Sequence, residues 1–182
     1  MPSKYKFHDP NGLYFVTLTI VDWVNVFSRQ VYKDILVKSL IYSIVHKGLI
    51  LHAWVIMSNH VHLIISAQPK HSLSDILRDL KKFTAKKIIS EIENNAESRK
   101  VWILKIFKEH GGKNPNNKTF QFWKQDNHPI ELDNNYMIDQ RLDYLHNNPV
   151  KACIVDYAEH YVYSSASDYC GEKGLIPLEL ID

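Results

Sequence analysis

Two histidines stand two residues apart in the apolar run HAWVIMSNHVHLII, residues 52–65. The run is typical of two β-strands separated by a polar Ser58-Asn59 step, and His60 and His62 open the second strand. Because side chains alternate between the faces of a strand, these two histidines project from the same face. Neighbouring neutral imidazoles can share one divalent metal ion. The pattern is equally consistent with a histidine pair on a solvated strand face.

A tyrosine near the end of a predicted helix is the second group that could do chemistry. In residues 133–150 (DNNYMIDQRLDYLHNNPV), Asn134 can cap the helix and Pro149 forces it to end near Asn148. Tyr144 lies four residues before Asn148, so the two are neighbours on the helix surface. The Tyr144 oxygen could attack a metal-polarised phosphate, and Asn148 could complete the metal shell. The alternative is a tyrosine whose ring simply packs on the helix.

These residues need a sheet and helices to position them. Residues 13–20 are rich in β-branched and aromatic side chains and predict a central strand. Thr17 and Thr19 share one face of this strand, so their hydroxyls could lie near the histidines if the strands pair. Two further strands are predicted over residues 49–66.

The first helix is predicted from Ser28, as its N-cap, through Lys47, with Gly48 as its stop. Helical spacing gives it one core-facing side: Ile35, Leu36, Ser39, Leu40, Ser43 and Ile44.

A second helix is predicted over residues 73–92, with Ser72 as its cap and Asp75 in a capping-box-like position. It carries five positive charges within ten residues: Arg78, Lys81, Lys82, Lys86 and Lys87. Such a run is often only a solvated face. It would also suit a ridge that follows a nucleic-acid backbone, because Lys and Arg along one element can contact successive phosphates.

The region after this helix is less regular. Residues 101–107 (VWILKIF) fit either a strand or a buried helical turn, and the polar residues 109–118 predict a loop. Phe122 and Trp123 then stand beside Lys124 and Gln125. Aromatic rings next to cations suit stacking on unpaired bases, and they suit a hydrophobic anchor equally well.

Composition predicts one folded domain spanning residues 1–182. Apolar residues make up 45% of the chain and charged residues 23%, and the net charge of +2 does not by itself indicate nucleic acid. Cys153 and Cys170 fit no metal or redox spacing, so reduced intracellular thiols are expected. The absence of a long apolar run or signal-peptide pattern predicts a cytoplasmic protein.

Four segments in this order resemble the single-tyrosine HUH transposases, in particular the REP-associated tyrosine transposases and their insertion-sequence relatives: HAWVIMSNHVHLII, FQFWKQDNHPIEL, DYLHNNPVKACIV and YVYSSASDY. The resemblance extends over about residues 14–169. It implies an α+β fold, an antiparallel β-sheet flanked by helices of ferredoxin-like or RRM-like type. It also implies nicking and joining of single-stranded DNA beside hairpins, through a covalent 5′-phosphotyrosine and a free 3′-hydroxyl.

Carried over residue by residue, the resemblance makes Tyr144 the nucleophile and His60 and His62 the metal ligands, with Asn148 completing the site. It implies Mg²⁺ as the ion, whereas Mn²⁺ would better suit a mixed nitrogen and oxygen shell. The basic helix, Phe122 and Trp123 would contact DNA. Insertion-sequence relatives act as homodimers and REP-associated ones can act as monomers, so both states stay open.

Two other functions are consistent with parts of this pattern. A non-catalytic protein that binds hairpins or single strands would keep the basic helix and the aromatic residues without needing Tyr144 or a metal. A zinc hydrolase would need a third strong ligand beside His60 and His62, and a base that activates water. The sequence contains no HExxH helix or similar zinc signature.

Overall fold

Four antiparallel strands form a sheet within the residues that the structure describes. The computed structural model describes residues 7–113 and 119–181. The strands are β1 (Tyr14–Thr19), β2 (Leu49–Ile56), β3 (His60–Ala67) and the short β4 (Ile130–Glu131). Their spatial order is β2-β3-β1-β4, and each neighbouring pair is antiparallel. This order, with helices between β1 and β2 and between β3 and β4, confirms the ferredoxin-like α+β prediction.

Six α-helices accompany the sheet in the described part of the chain: α1 (Gln30–Lys47), α2 (Leu73–Asn94), α3 (Lys100–Gly112), α4 (Asn135–His146), α5 (Asn148–Lys151) and α6 (Ala166–Tyr169). The long helices α1 and α2 pack against each other. The predicted inner side of α1 is confirmed, since Leu36 and Leu40 are fully buried. Burial of such side chains is the main source of stability for the sheet-helix layer.

The ends of α1 and α2 test the capping predictions. Gly48 ends α1 in the left-handed region with φ of 73°, as expected for a C-terminal glycine. Ser72 caps α2 by accepting a hydrogen bond from the backbone N–H of Asp75. The prediction for Ser28 was wrong, because Ser28 lies in a 3-10 turn (Val26–Ser28) and donates its hydroxyl to the Asn25 carbonyl. Arg29 stands at the N-cap instead.

The region 100–112 is helical throughout. The apolar run 101–107 therefore belongs to α3, in which Ile103 and Phe107 are fully buried. The prediction of a loop is wrong for residues 109–112. These residues belong to α3, whose buried side continues to Gly111. The rest of that loop, residues 114–118, lies outside the described residues.

The C-terminal segment covers the outer edge of β2. The N–H of Ile56 donates to the Tyr163 carbonyl, and the N–H of Ser165 donates to the Trp54 carbonyl, both at 2.9 Å. An edge strand covered in this way offers no unpaired ladder to other chains. No helix among the described residues is long and apolar enough to cross a membrane.

Candidate metal and nucleophile site

His60 and His62 lie on one face of β3, and their ring centroids are 4.7 Å apart. The neighbouring strand β1 places Thr19 opposite His60 and Thr17 opposite His62. The expected placement of the threonines beside the histidines is therefore confirmed. Residues paired directly across an antiparallel ladder point to the same side of the sheet, which explains why these four polar side chains meet.

The side chain of Asn59 determines which nitrogen of His60 carries the proton. Asn59 Nδ2 donates to the Trp23 carbonyl at 3.2 Å and to Asn25 Oδ1 at 3.0 Å. Asn59 Oδ1 is consequently the atom that lies 2.7 Å from His60 Nδ1. Because this oxygen can only accept, Nδ1 of His60 is the donor, and Nε2 of the neutral ring keeps its lone pair. His60 is thus prepared to ligate a metal through Nε2.

His62 offers a second ring nitrogen that has no hydrogen-bond partner among the described residues. Its Nδ1 lies 2.9 Å from the Thr17 hydroxyl oxygen, and its Nε2 is buried with no hydrogen-bond partner in the described part of the chain. An unpaired buried polar atom costs about 1–3 kcal/mol. Burial, together with the nearby charges of His60 and Arg141, lowers the pKa of His62 to about 3, and burial also lowers the pKa of His60. Both rings are therefore neutral, which is the form that binds metals.

Tyr144 lies against His62 of this histidine pair. Its ring centroid is 5.3 Å from that of His62 and 6.1 Å from that of Phe15. Helix α4 begins as predicted, with Asn134 accepting from the backbone N–H of Met137, and this fixes the direction in which Tyr144 projects. The side chain of Tyr144 is 38% exposed, so a substrate can reach it.

The end of α4 differs from the predicted continuous helix. α4 ends at His146, and Asn148 begins the short helix α5, in which Pro149 occupies the first turn. Proline is favoured there because it has no N–H to leave unpaired. Asn148 is half-buried. The cleft beside Tyr144, of about 450 Å³, is lined by other residues: Gln140, Arg141, Asp143, Asn147 and Lys151.

Two cations beside Tyr144 were missed at the sequence level. The guanidinium carbon of Arg141 lies 5.2 Å from the centre of the Phe15 ring, and Arg141 Nε is buried without a hydrogen-bond partner among the described residues. The ammonium of Lys151 is 5.7 Å from the centre of the Tyr144 ring. The spacing of Arg141, one helical turn before Tyr144, was the available signal. Together the two cations make this cleft suitable for an anion.

The charges of α2 do not form the single predicted ridge. Four of them line a groove of about 1000 Å³ between α2 and residues 120–125: Arg78, Lys81, Lys82 and Lys86. Lys87 instead lines a separate groove between α1 and α2. Arg78 forms ion pairs with Asp75 and Asp79 on its own helix.

Lys81 also departs from the prediction. Its ammonium donates to the carbonyls of Lys124 and Gln125 and to Asn127 Oδ1, and burial lowers its pKa to about 8. Lys81 therefore holds the segment 124–127 against α2. Its charge is committed to these three oxygens rather than presented to a phosphate.

Phe122 and Trp123 are buried, with 1% and 5% of their surfaces exposed. Phe122 packs on Phe27 and Phe107, and Trp123 Nε1 donates to the Thr84 hydroxyl at 3.0 Å. Rings covered in this way cannot stack on a base. The prediction that Phe122 and Trp123 contact DNA is therefore corrected. Both residues are hydrophobic anchors, which was the other role that the sequence allowed.

The geometry of paired histidines and a nearby tyrosine can be compared with known proteins. The model of the IS200-like transposases matches residues 14–122, which is more than half of the chain. The chain belongs to the IS200-like transposase family. The match includes His60 and His62 and ends before Tyr144, so the assignment of Tyr144 depends on the geometry above. No curated protein matches this transposase at a significant level.

Two solved structures were compared with this chain. A REP-associated tyrosine transposase bound to a REP hairpin superposes with a TM-score of 0.66 at 17% identity, covering 100% of this chain and 92% of that chain. This similarity shows that the two share a fold. A protein from Deinococcus radiodurans R1 assigned as a transposase gives a TM-score of 0.47 at 23% identity, covering 81% of this chain and 95% of that one.

Proposed function

We propose that this transposase nicks and rejoins single-stranded DNA through a covalent 5′-phosphotyrosine on Tyr144. The observation that carries the proposal is the packing of Tyr144 against His62, at 5.3 Å between ring centroids. In the histidine pair, His60 presents an unprotonated Nε2, and His62 presents a buried Nε2 with no hydrogen-bond partner among the described residues. A tyrosine next to a metal-binding pair is suited to phosphoryl transfer, because the metal can stabilise the charge that develops on the phosphate.

The donor set fits a divalent ion. His60 and His62 would hold it through Nε2, and Asn148 is the proposed protein oxygen that completes the shell. The described residues contain no group of three or more His, Cys, Asp or Glu side chains arranged for a metal, so water or phosphate oxygens would fill the other positions. Mg²⁺ or Mn²⁺ is the proposed ion, with Mn²⁺ better matched to imidazole. When bound, it would supply Lewis-acid stabilisation of the scissile phosphate.

The protein's own groups perform the remaining steps. The Tyr144 oxygen attacks the phosphorus, and its proton leaves to water. The bond between phosphorus and the 3′-oxygen breaks, and this oxygen takes a proton from water to give a free 3′-hydroxyl. Arg141 and Lys151 hold the phosphate charge in the cleft beside the ring. In the joining step a 3′-hydroxyl attacks the phosphotyrosine and releases the phenol. The covalent bond preserves the energy of the phosphodiester between the two steps.

The groove beside α2 is the proposed site for a DNA hairpin. Lys82 and Lys86 are exposed along it, and Lys124 lies on the opposite wall. Cations on both walls of a groove can contact the two phosphate backbones of a short duplex. A hairpin as substrate is consistent with the shared fold of the REP-associated transposase that was solved with its hairpin.

Formation of a protein–DNA adduct tests the proposal. The transposase is incubated with Mn²⁺ and a labelled pool of DNA hairpins with randomised single-stranded flanks, and covalent adducts are separated on denaturing gels. We expect an adduct with the parent and none with Tyr144→Phe, which lacks only the attacking oxygen. Tyr136→Phe is the matched control, because Tyr136 lies on the same helix and is 74% exposed.

Peptide mapping of the adduct identifies the modified residue. An adduct on Tyr136 or Tyr157 would contradict the role of Tyr144 while keeping the reaction class. If the parent binds hairpins from the pool tightly and forms no adduct, the non-catalytic binding function is correct instead.

A further inference from the structure

Trp23 is an exposed aromatic residue beside the histidine pair that the proposed chemistry does not use. Its ring centroid lies 5.9 Å from that of His60, with the two planes at 80°. The side chain is 53% exposed. Trp102 on α3 is exposed to the same fraction, so exposure alone does not distinguish the two tryptophans. The backbone conformation and the contacts of Trp23 distinguish it from Trp102.

The backbone at Trp23 is held in an unfavourable conformation. Asp22 and Trp23 have φ of 50° and 55°, in the left-handed region that bulky residues rarely adopt. The conformation is enforced from two sides: Asn59 Nδ2 donates to the Trp23 carbonyl, and Asp22 pairs with His110 at 2.9 Å. Strain of this kind persists where the surrounding structure fixes it, and it concentrates at functional sites. The turn therefore fixes the backbone from which the indole projects.

The indole contacts one residue of the α2 groove and one residue of the histidine pair. Lys124 lines the groove, and its ammonium is 4.4 Å from the centre of the Trp23 ring. The same indole contacts His60 of the histidine pair. The indole therefore adjoins both the groove proposed for the hairpin and the histidine pair.

We propose that Trp23 is a platform on which an unpaired base stacks as the strand leaves the hairpin and enters the nicking site. This inference rests on the proposed function. Lys124 covers one face of the indole, so the base stacks on the opposite face, and the ammonium is placed to meet a flanking phosphate. Stacking on an aromatic side chain accepts any base, since every base has a π-face.

Binding of an oligothymidylate single strand of about 20 nucleotides tests the platform. Loss of one stacking contact should weaken binding by roughly 5- to 150-fold in Trp23→Asn. Asparagine tolerates the left-handed conformation, so the fold should be preserved or stabilised. Trp102→Asn is the matched control and should bind as the parent does. A blunt duplex of the same length should lose less than about twofold with either variant, because its bases are already stacked.

Fluorescence supplies a second measurement. In a Trp102→Phe background, Trp23 is the exposed tryptophan, because Trp54 and Trp123 are buried. Oligothymidylate should quench the emission of this variant, and the quenching should disappear when Trp23→Phe is added.

Two results would overturn the inference: unchanged affinity of Trp23→Asn for the single strand, or equal losses for the single strand and the duplex. A thermal unfolding midpoint below that of the parent would likewise assign Trp23 a structural role. These measurements involve neither metal nor cleavage, so their outcome is separate from whether Tyr144 is the nucleophile.

Discussion

The hydrogen bond between Thr17 and His62 can be removed with little change of shape, by Thr17→Val. The two atoms lie 2.9 Å apart, and His62 is one of the most buried polar residues of the site. If Nε2 of His62 is to bind a metal, Nδ1 must carry the proton and donate to the threonine oxygen. Valine keeps the branched shape and the strand preference but cannot accept this bond.

Two effects of known size follow from this geometry. The unpaired Nδ1–H of His62 should lower the free energy of unfolding by about 1–3 kcal/mol. Loss of the partner that orients a ligating histidine typically weakens metal binding by about 10- to 100-fold, which corresponds to roughly 1.4–2.7 kcal/mol. We therefore expect Thr17→Val to fold, to be moderately less stable, and to bind metal at least about tenfold more weakly.

Calorimetric titration with Co²⁺ measures the effect, since imidazole ligands favour this ion over Mg²⁺. Thr19→Val is the matched control. Thr19 lies on β1, as Thr17 does, and faces His60 on β3, but it forms no side-chain hydrogen bond within the described chain. Equal Co²⁺ affinity in the parent and Thr17→Val would refute the assigned tautomer. Equal losses in both valine variants would show that the strand, and not the hydrogen bond, is responsible.

Three further predictions concern the cleft, the pH dependence and the groove. Arg141→Gln should slow adduct formation by roughly 100-fold, because this is the usual effect of losing one preorganised donor to a developing charge. The hairpin affinity of this variant should stay within about threefold of the parent's. Burial lowers the pKa of His146 to about 4, so the unfolded chain binds the proton more readily, and stability should fall as the pH drops from about 6.5 towards 4. Thermal unfolding of His146→Gln should show a smaller fall than the parent over that range. Lys82→Gln with Lys86→Gln should reduce the log-log salt slope of hairpin binding by roughly 0.7–0.9 per charge, whereas Lys87→Gln, on the other side of α2, should leave it unchanged. A slope that responds equally to all three charges would place the DNA elsewhere.

The local features of this protein were readable from its sequence. Alternation along residues 60–67 put both histidines on one face, and the spacing of α1 identified its buried side. Ser72, Asn134 and Gly48 mark helix ends because capping depends on atoms within a few residues of the chain. Such signals involve only near neighbours, so a single sequence can reveal them, although the same signal at Ser28 was wrong because that residue lies in a 3-10 turn.

The tertiary structure determined which of the roles that the sequence left open each side chain has. Phe122 and Trp123 became anchors because α3 and Thr84 cover them, and Lys81 became a tether because residues 124–127 run past it. These contacts cannot be predicted from the sequence, because the residues that make them are distant from one another along the chain. The same holds for the two free Nε2 atoms of the site. The Nε2 atom of His60 is available because Asn59 is held by the Trp23 carbonyl. The orientation of His62 depends on strand β1, which brings Thr17 to it. The hydrogen bond between Thr17 and His62 joins residues 45 positions apart, so it exists only once the sheet has formed.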